Sequence, residues 1–265
     1  MMEHSLMIRL KEYDIKPDPK KDQHLMIDKK ILKDMVKFGK INKKDVVLEI
    51  GAGPGNLTSL LAENAKSVYA VEIEKRFSPL LKGVKRSHKN IKIIWGNFLN
   101  VKIPRFNKIV SNIPYSISEP LFQKLIHYDF DLGVLALPSN FVKKMMNGKT
   151  LLSLQMSLFF KFKIMKEIDK KSFYPPPRVD SFIVEVIPKK EMPAEEFILR
   201  EVFKQSNKKL KNALREALIK VKGKTKRETR SMISNMNIPG MLEKKVGSMS
   251  FGDFNKIMEK IEQWH

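Results

Sequence analysis

The spacing of apolar positions switches repeatedly along the chain. Between Lys29 and Phe38, Ile31, Leu32, Met35 and Val36 recur at helical spacing, which predicts an amphipathic helix. Asp45-Val46-Val47-Leu48-Glu49-Ile50 is then a short β-rich apolar run that stops at a glycine cluster. Helical spacing returns at Leu57, Leu60 and Leu61, and a second strand is expected over 67–73. Helix-like sequence to about Val84 leads to a third strand over 91–95, a fourth over 108–111 and a fifth over 132–137. Lys163 to Ile168 and Val179 to Ile187 predict an antiparallel pair closing around Ser172-Phe173-Tyr174-Pro175-Pro176-Pro177-Arg178.

Strands alternating with helical segments predict an α/β domain, a mostly parallel sheet covered on both faces, with the antiparallel strand at its end. Strands buried on both sides should be nearly all apolar, and these are. Near Pro188 the pattern changes. PKKEMPAEE reads as a linker, and EEFILREVFKQSNKKLKNALREALIK, KGKTKRETR and a last stretch ending at Trp264 read as helical and basic. The expected division is therefore a catalytic domain over 1–188 and a small all-helical domain over 189–265.

Charge narrows the function. Lys plus Arg number 51 against 29 Asp plus Glu, a formal +22. An excess of that size points to a polyanionic partner, because each neutralised phosphate releases counterions. Basic residues dispersed along a globular pattern favour nucleic acid over a membrane surface. No apolar stretch is long enough to span a bilayer, and the N-terminal segment lacks the continuous apolar region of a secretory signal. With no cysteine there is no disulfide or thiolate metal site, which suits a cytoplasmic protein. His24 has no second histidine nearby, so no metal is expected. A monomer is the default expectation.

The candidate chemistry starts at Glu49-Ile50-Gly51-Ala52-Gly53-Pro54-Gly55, where the first strand turns into a helix. Glycines there permit a tight turn and close approach of a ligand to the backbone. The spacing is G-x-G-x-G behind an acid, not the dinucleotide G-x-G-x-x-G. The next strand carries Glu72 near its end, where a carboxylate can accept from both hydroxyls of an adenosine ribose and would repel a 2′-phosphate. This combination favours S-adenosyl-L-methionine over NAD. Asn97, after the third strand, can accept from an exocyclic amino group through its carbonyl oxygen.

The fourth strand breaks into Asn112-Ile113-Pro114-Tyr115, at the edge where open α/β sheets bind ligands. This tetrapeptide looks like the catalytic motif of amino methyltransferases. With Ile in second place it resembles that of the KsgA/Erm-type ribosomal RNA adenine N6-dimethyltransferases. Three further segments agree in order along residues 20–260. Asp22-Gln23-His24-Leu25-Met26-Ile27-Asp28 resembles the family's Gln-(Asn/His)-Phe-Leu element. Phe173-Tyr174-Pro175-Pro176-Pro177-Arg178-Val179-Asp180-Ser181 is similar to its Phe-x-Pro-x-Pro-x-Val-x-Ser loop, and Phe203 through Leu214 resembles its basic C-terminal helix.

The resemblance implies a Rossmann-like S-adenosylmethionine-dependent methyltransferase fold and N6-dimethylation of adenines in ribosomal RNA of immature small subunits. It implies that Gln23, His24 and Met26 line the cofactor's mouth, with Gly51 and Gly53 in the turn at its amino-acid end. Glu72 and Ile73 fall at the ribose, Asn97 and Phe98 at the adenine. Asn112 accepts from the target amine, Pro114 braces the turn, Tyr115 stacks on the target base and Phe173 closes its other face. Three places depart from the family pattern: Asn97 stands for an aspartate, Asn140 for a glutamate, and Ser206-Asn207-Lys208 for an arginine-rich triplet. An Erm-like enzyme acting on large-subunit RNA, and an assembly factor of the same fold with weak activity, are the alternative readings.

Overall fold

The computed structural model describes residues 2–264. Helix α1 (Met2–Glu12) is followed by the short strand β1 (Leu25–Met26) and helix α2 (Lys29–Phe38). Asp28 caps α2, its carboxylate accepting from the N–H groups of Lys30 and Ile31 at 2.8 and 3.3 Å. The alternating part comprises β2 (Val46–Ile50), α3 (Asn56–Asn64), β3 (Ser67–Glu72), α4 (Ser78–Ser87), β4 (Ile91–Trp95), β5 (Lys108–Asn112), α5 (Ser118–Leu125) and β6 (Leu132–Pro138). After it come α6 (Ser139–Met146), α7 (Leu151–Phe159), β7 (Phe160–Ile168), β8 (Phe173–Tyr174) and β9 (Ser181–Pro188). The chain ends in α8 (Ala194–Phe203), α9 (Leu210–Lys222), α10 (Lys226–Ser234) and α11 (Phe251–Glu262).

Seven strands form one sheet in the order β4-β3-β2-β5-β6-β9-β7. The pairs β2–β3, β3–β4, β2–β5 and β5–β6 are parallel, and β9 runs antiparallel to β6 from Gly133↔Val186 to Pro138↔Ser181. Parallel strands at the centre, with an antiparallel strand towards one end, is the arrangement that the apolar runs predict. The central strands are buried, β6 along its whole length. Edge strand β7, FKFKIMKEI, is half exposed, and lysines on such an edge discourage pairing with another chain. Strand order reverses at β2: the chain moves outward through β3 and β4, then returns to place β5 on β2's other side. The carboxyl ends of β2 and β5 thus flank the crevice where such sheets bind ligands.

The elements divide into two compact units. One holds the chain up to Lys143 together with Phe162–Pro188; the other holds Lys144–Lys161 together with the described residues from Lys189 on. Between them the chain passes from one unit to the other after Pro188. The segment Lys144–Lys161, expected in the catalytic domain, groups instead with the helical unit. Its helix α7, begun by a Thr150–Ser153 capping box, is apolar on most faces and packs on α8 and α11. Helices α1 and α5 to α7 are additions to the elements that the apolar pattern predicts. In α5 the apolar spacing of Leu121, Phe122 and Leu125 is preceded by Pro120, which a first turn tolerates.

The expected helical run over 195–220 is two helices. It breaks at Lys204–Lys209, where the backbone is supported from elsewhere: the Ser206 carbonyl accepts from Gly247 N–H (2.8 Å) and that of Lys208 from Val246 N–H (2.9 Å). Ser206 and Asn207 are weak helix formers, so satisfying these carbonyls from a loop is enough to divert the chain. No helix among the described residues is long and apolar enough to cross a membrane.

Candidate active site

The end of β2 opens directly into the glycine turn. Gly51 adopts φ +77°, and a Cβ there would lie 3.3 Å from Pro114 Cδ, so only glycine lets the two ligand-binding turns approach this closely. The turn is then fixed by Glu72 at the end of β3. Its carboxylate accepts from Gly53 N–H and Glu74 N–H, each at 2.7 Å. Burial raises the Glu72 pKa, opposed by these backbone donors. Each oxygen retains lone-pair capacity for ribose hydroxyls.

A cavity of about 420 Å³ opens at this edge, within the range of pockets that hold small organic ligands. It gathers nearly every residue assigned to the cofactor from sequence: Gln23, His24, Gly51, Gly53, Glu72, Ile73, Asn97, Phe98 and Asn112. Ile73 is 64% exposed at its rim, an apolar side chain left for a flat ligand to cover, whereas Phe98 is buried. A broader, open depression of about 1030 Å³ along α5 shares only Ser116 with this cavity and holds none of the glycine-turn or strand-end residues Gly51, Gly53, Glu72 and Asn112.

Asn112 ends β5 facing the cavity. Its amide nitrogen donates to the His24 carbonyl at 3.1 Å, which fixes the side chain's orientation. Its carbonyl oxygen Oδ1 is buried with no hydrogen-bond partner. A buried acceptor without a donor is costly, and one that faces a cavity is open to completion by a ligand, an ordered water or a reacting group. Pro114 braces the turn against Gly51. Tyr115 lines the cavity with its hydroxyl 2.5 Å from Ser181 Oγ and its ring centroid 5.8 Å from that of His24. Burial raises the Tyr115 pKa against the Ser181 hydrogen bond, with the charges of Asp22 and Asp180 adding to the rise.

Two assignments need correction. Phe173 is 2% exposed and belongs to the core, so it presents no face to a base; Tyr174, 39% exposed, is the loop's accessible ring. Met26 is likewise core at 4% exposed, and its neighbour Leu25 lines the cavity instead. The cause is register. In the β1–β8 ladder Met26 pairs with Phe173 and Leu25 with Tyr174, and alternation along a strand sends each pair to one face.

Asn97 carries a qualification of its own. Its Oδ1, the atom assigned to the adenine amino group, already accepts from Leu99 N–H at 2.9 Å. A second lone pair and the amide nitrogen remain for the cavity.

The structure also brings in residues that the motifs did not single out. Lys124 donates to the carbonyls of Phe98 and Val101 (2.8 Å to the latter) and lies 4.7 Å from the Phe98 ring centroid, tying α5 to the loop after β4. Burial lowers the Lys124 pKa. Asp22 accepts from Ser116 N–H at 2.9 Å, and His24 Nδ1 lies 2.8 Å from the Pro175 carbonyl oxygen. These contacts join segments remote in sequence, and no local pattern signals them.

Glu49 lies behind the glycine turn, beside a small cavity of about 40 Å³ shared with Gly51, Gly53 and Asn112. Burial, opposed by the nearby Thr58 hydroxyl and reinforced by the Glu72 charge, pushes its pKa up to about 8. Its Oε2 is buried without a hydrogen bond. Among the described residues no group of three or more His, Cys, Asp or Glu is placed to hold a metal ion.

The residues present fit S-adenosylmethionine: a backbone turn open to close approach, a carboxylate with acceptor capacity at the strand end, and apolar cover at the rim. Comparison with known proteins agrees. The family model "Ribosomal RNA adenine dimethylase" matches residues 16–259. The probable ribosomal RNA small subunit methyltransferase A of Pyrococcus abyssi is 35% identical over 222 residues, covering 82% of each chain. Its counterpart in Methanosarcina mazei is 39% identical over 216 residues, covering 77% of this chain and 79% of the relative. Among solved structures, a dimethyladenosine transferase from Plasmodium falciparum superposes with TM-score 0.62 at 27% identity, covering 91% of this chain and 98% of that one. The 23S rRNA methyltransferase ErmE, at TM-score 0.61 and 20% identity, shares the fold. On the matched model and relatives together, the chain belongs to the ribosomal RNA adenine dimethylase family.

Proposed function

We propose that the protein uses S-adenosyl-L-methionine to dimethylate N6 of adenines in small-subunit ribosomal RNA as the subunit matures. The observation that carries this reading is the buried, unpartnered Oδ1 of Asn112 at the mouth of the ligand cavity. An adenine amine is a poor nucleophile because its lone pair is delocalised into the ring. Asn112 Oδ1 and a main-chain oxygen of the same turn accept its two hydrogens and favour a pyramidal nitrogen with a directed lone pair. Both acceptors are fixed before the base arrives, which is electrostatic preorganisation. When bound, the cofactor supplies an electrophilic methyl group, and no strong general base is required.

A base held against Asn112 must leave its stack. Tyr115, with its hydroxyl held by Ser181, offers the ring on which it stacks, at roughly 1–3 kcal/mol per base. The basic segment from residue 189 is the RNA-binding domain, and the protein works as a cytoplasmic monomer. The test is transfer of labelled methyl groups from S-adenosylmethionine to immature small subunits. Label is expected on adenine as N6-dimethyladenosine. Tight subunit binding with no transferred label would overturn the reading in favour of an assembly factor.

A further inference from the structure

In the helical unit most exposed lysines near α9 are already paired. Lys208 contacts Glu216 at 2.6 Å, Lys209 and Lys211 share Glu243, Lys244 meets Asp253 at 3.4 Å, and Lys220 with Lys204 brackets Glu201. A phosphate approaching these cations must first displace a carboxylate. The segment Ser206-Asn207-Lys208 therefore brings little free charge: two of its residues are neutral and the third is paired.

Helix α10 differs. Lys226, Arg227 and Arg230 are exposed, and none of them has an ion pair or side-chain hydrogen bond among the described residues. Arg230 lies i+3 from Arg227 and i+4 from Lys226, so the three fall within one arc of the helix, beside the arc that buries Thr229 and Ile233. The one acid of the first turn, Glu228, is committed locally. Its carboxylate accepts from Thr225 N–H and Oγ1, each at 2.7 Å, and meets Lys224 at 3.4 Å. Like charges at these spacings repel, and two of the three sit in the first turn, where the helix dipole disfavours cations. Helix stability therefore does not account for them; a polyanion does.

We infer that the exposed side of α10 is a docking surface for RNA backbone phosphates, made by Lys226, Arg227 and Arg230. The inference rests on the RNA-binding role proposed for this domain. Two guanidiniums suit bidentate contact with phosphate oxygens, and their contacts position the RNA without reading its sequence.

The test uses the full chain with the charges removed by K226Q/R227Q/R230Q, beside K209Q/K211Q as a paired-lysine control. Binding to protein-free small-subunit RNA is measured across a salt series, together with S-adenosylhomocysteine affinity and the circular dichroism melt. For the triple variant we expect RNA affinity to fall about tenfold or more and the log–log salt slope to shrink by about two, at roughly 0.7–0.9 per contact. Cofactor-product affinity should be unchanged, melting should hold or rise slightly as the repulsion is relieved, and the control should keep nearly the full slope. If the wild type binds RNA with a steep salt slope and the triple variant matches it, the α10 surface is wrong and the domain's RNA role stands. A defect seen on whole subunits but absent on protein-free RNA would assign α10 to a subunit protein and overturn the RNA-backbone proposal. If the wild type binds no RNA, the domain's RNA role fails and the α10 surface with it.

Discussion

In the unit built on the sheet, Glu49 and Glu72 are buried and meet no cation; Glu49 rises to about 8, and the Glu72 pKa is raised as well. In the helical unit Glu201 is also buried, yet Lys220 and Lys204 outweigh the burial and lower its pKa. Glu243, on the surface, is brought down to about 2 by hydrogen bonds from Lys209 and Lys211. The same side chain is thus used in two ways. Where a ligand is to be bound, carboxylates and the Asn112 oxygen are buried with acceptor capacity unfilled, which costs stability. In the helical unit Glu201 and Glu243 are matched to lysines, and Lys226, Arg227 and Arg230 are left facing water.

The strongest way to break that comparison is Asn112→Ala. If the unpartnered oxygen is held for the substrate amine, methyl transfer should fall by roughly 10²–10³-fold, the cost of losing one preorganised group. Cofactor affinity, measured by calorimetry, should change little. A variant with near-wild-type turnover would show that the unfilled acceptor has no catalytic role.

Next in size is Glu49→Gln. The Glu49 pKa in the folded protein, about 8, lies above its ordinary value of 4.5, so the folded state holds the proton more tightly. Its contribution favours the fold below about pH 4.5, declines as pH rises towards 8 and is constant beyond, a span of at most a few kcal/mol. The amide mimics the protonated acid. The variant should therefore lose part of the fall in Tm between about pH 5 and 8 and melt above the wild type at alkaline pH. Parallel Tm–pH curves for the two proteins would refute the assignment.

Glu201→Gln should have the opposite sign and the smallest effect. Its partners Lys204 and Lys220 reach solvent, so screening discounts the pair, and a loss of about 1 kcal/mol is expected near neutral pH. Because the Glu201 pKa is lowered, that loss should vanish as pH falls through the carboxylate range. Urea titrations at two pH values would detect it.

Much of the site was legible in the chain because its chemistry is local. The glycine turn, Glu72, Asn97 and Asn112-Ile113-Pro114-Tyr115 each sit at a strand end, and a parallel sheet brings strand ends to one edge. Strands buried on both faces must be apolar, so β2, β3, β5 and β6 stood out, and the antiparallel strand after them followed from the second apolar pair. The helical unit was visible as a change of period and charge.

What only the tertiary structure decided are matters of pairing and facing. Phe173 and Met26 read as site residues, but the β1–β8 register turns them into the core, leaves Tyr174 exposed and sets the buried Leu25 against the cavity. Two residues apart on a strand share a face and neighbours oppose, so a shift of one residue reverses the assignment. The clamp of Lys124 on the loop after β4, the bond of Tyr115 to Ser181 and the grouping of Lys144–Lys161 with the helical unit join segments whose sequences show no common pattern. The sequence by itself determined which side chains can do the chemistry, since that depends on residue type and strand position. Which of them stay unpaired depends on partners tens of residues away, and folding alone brings those partners within reach.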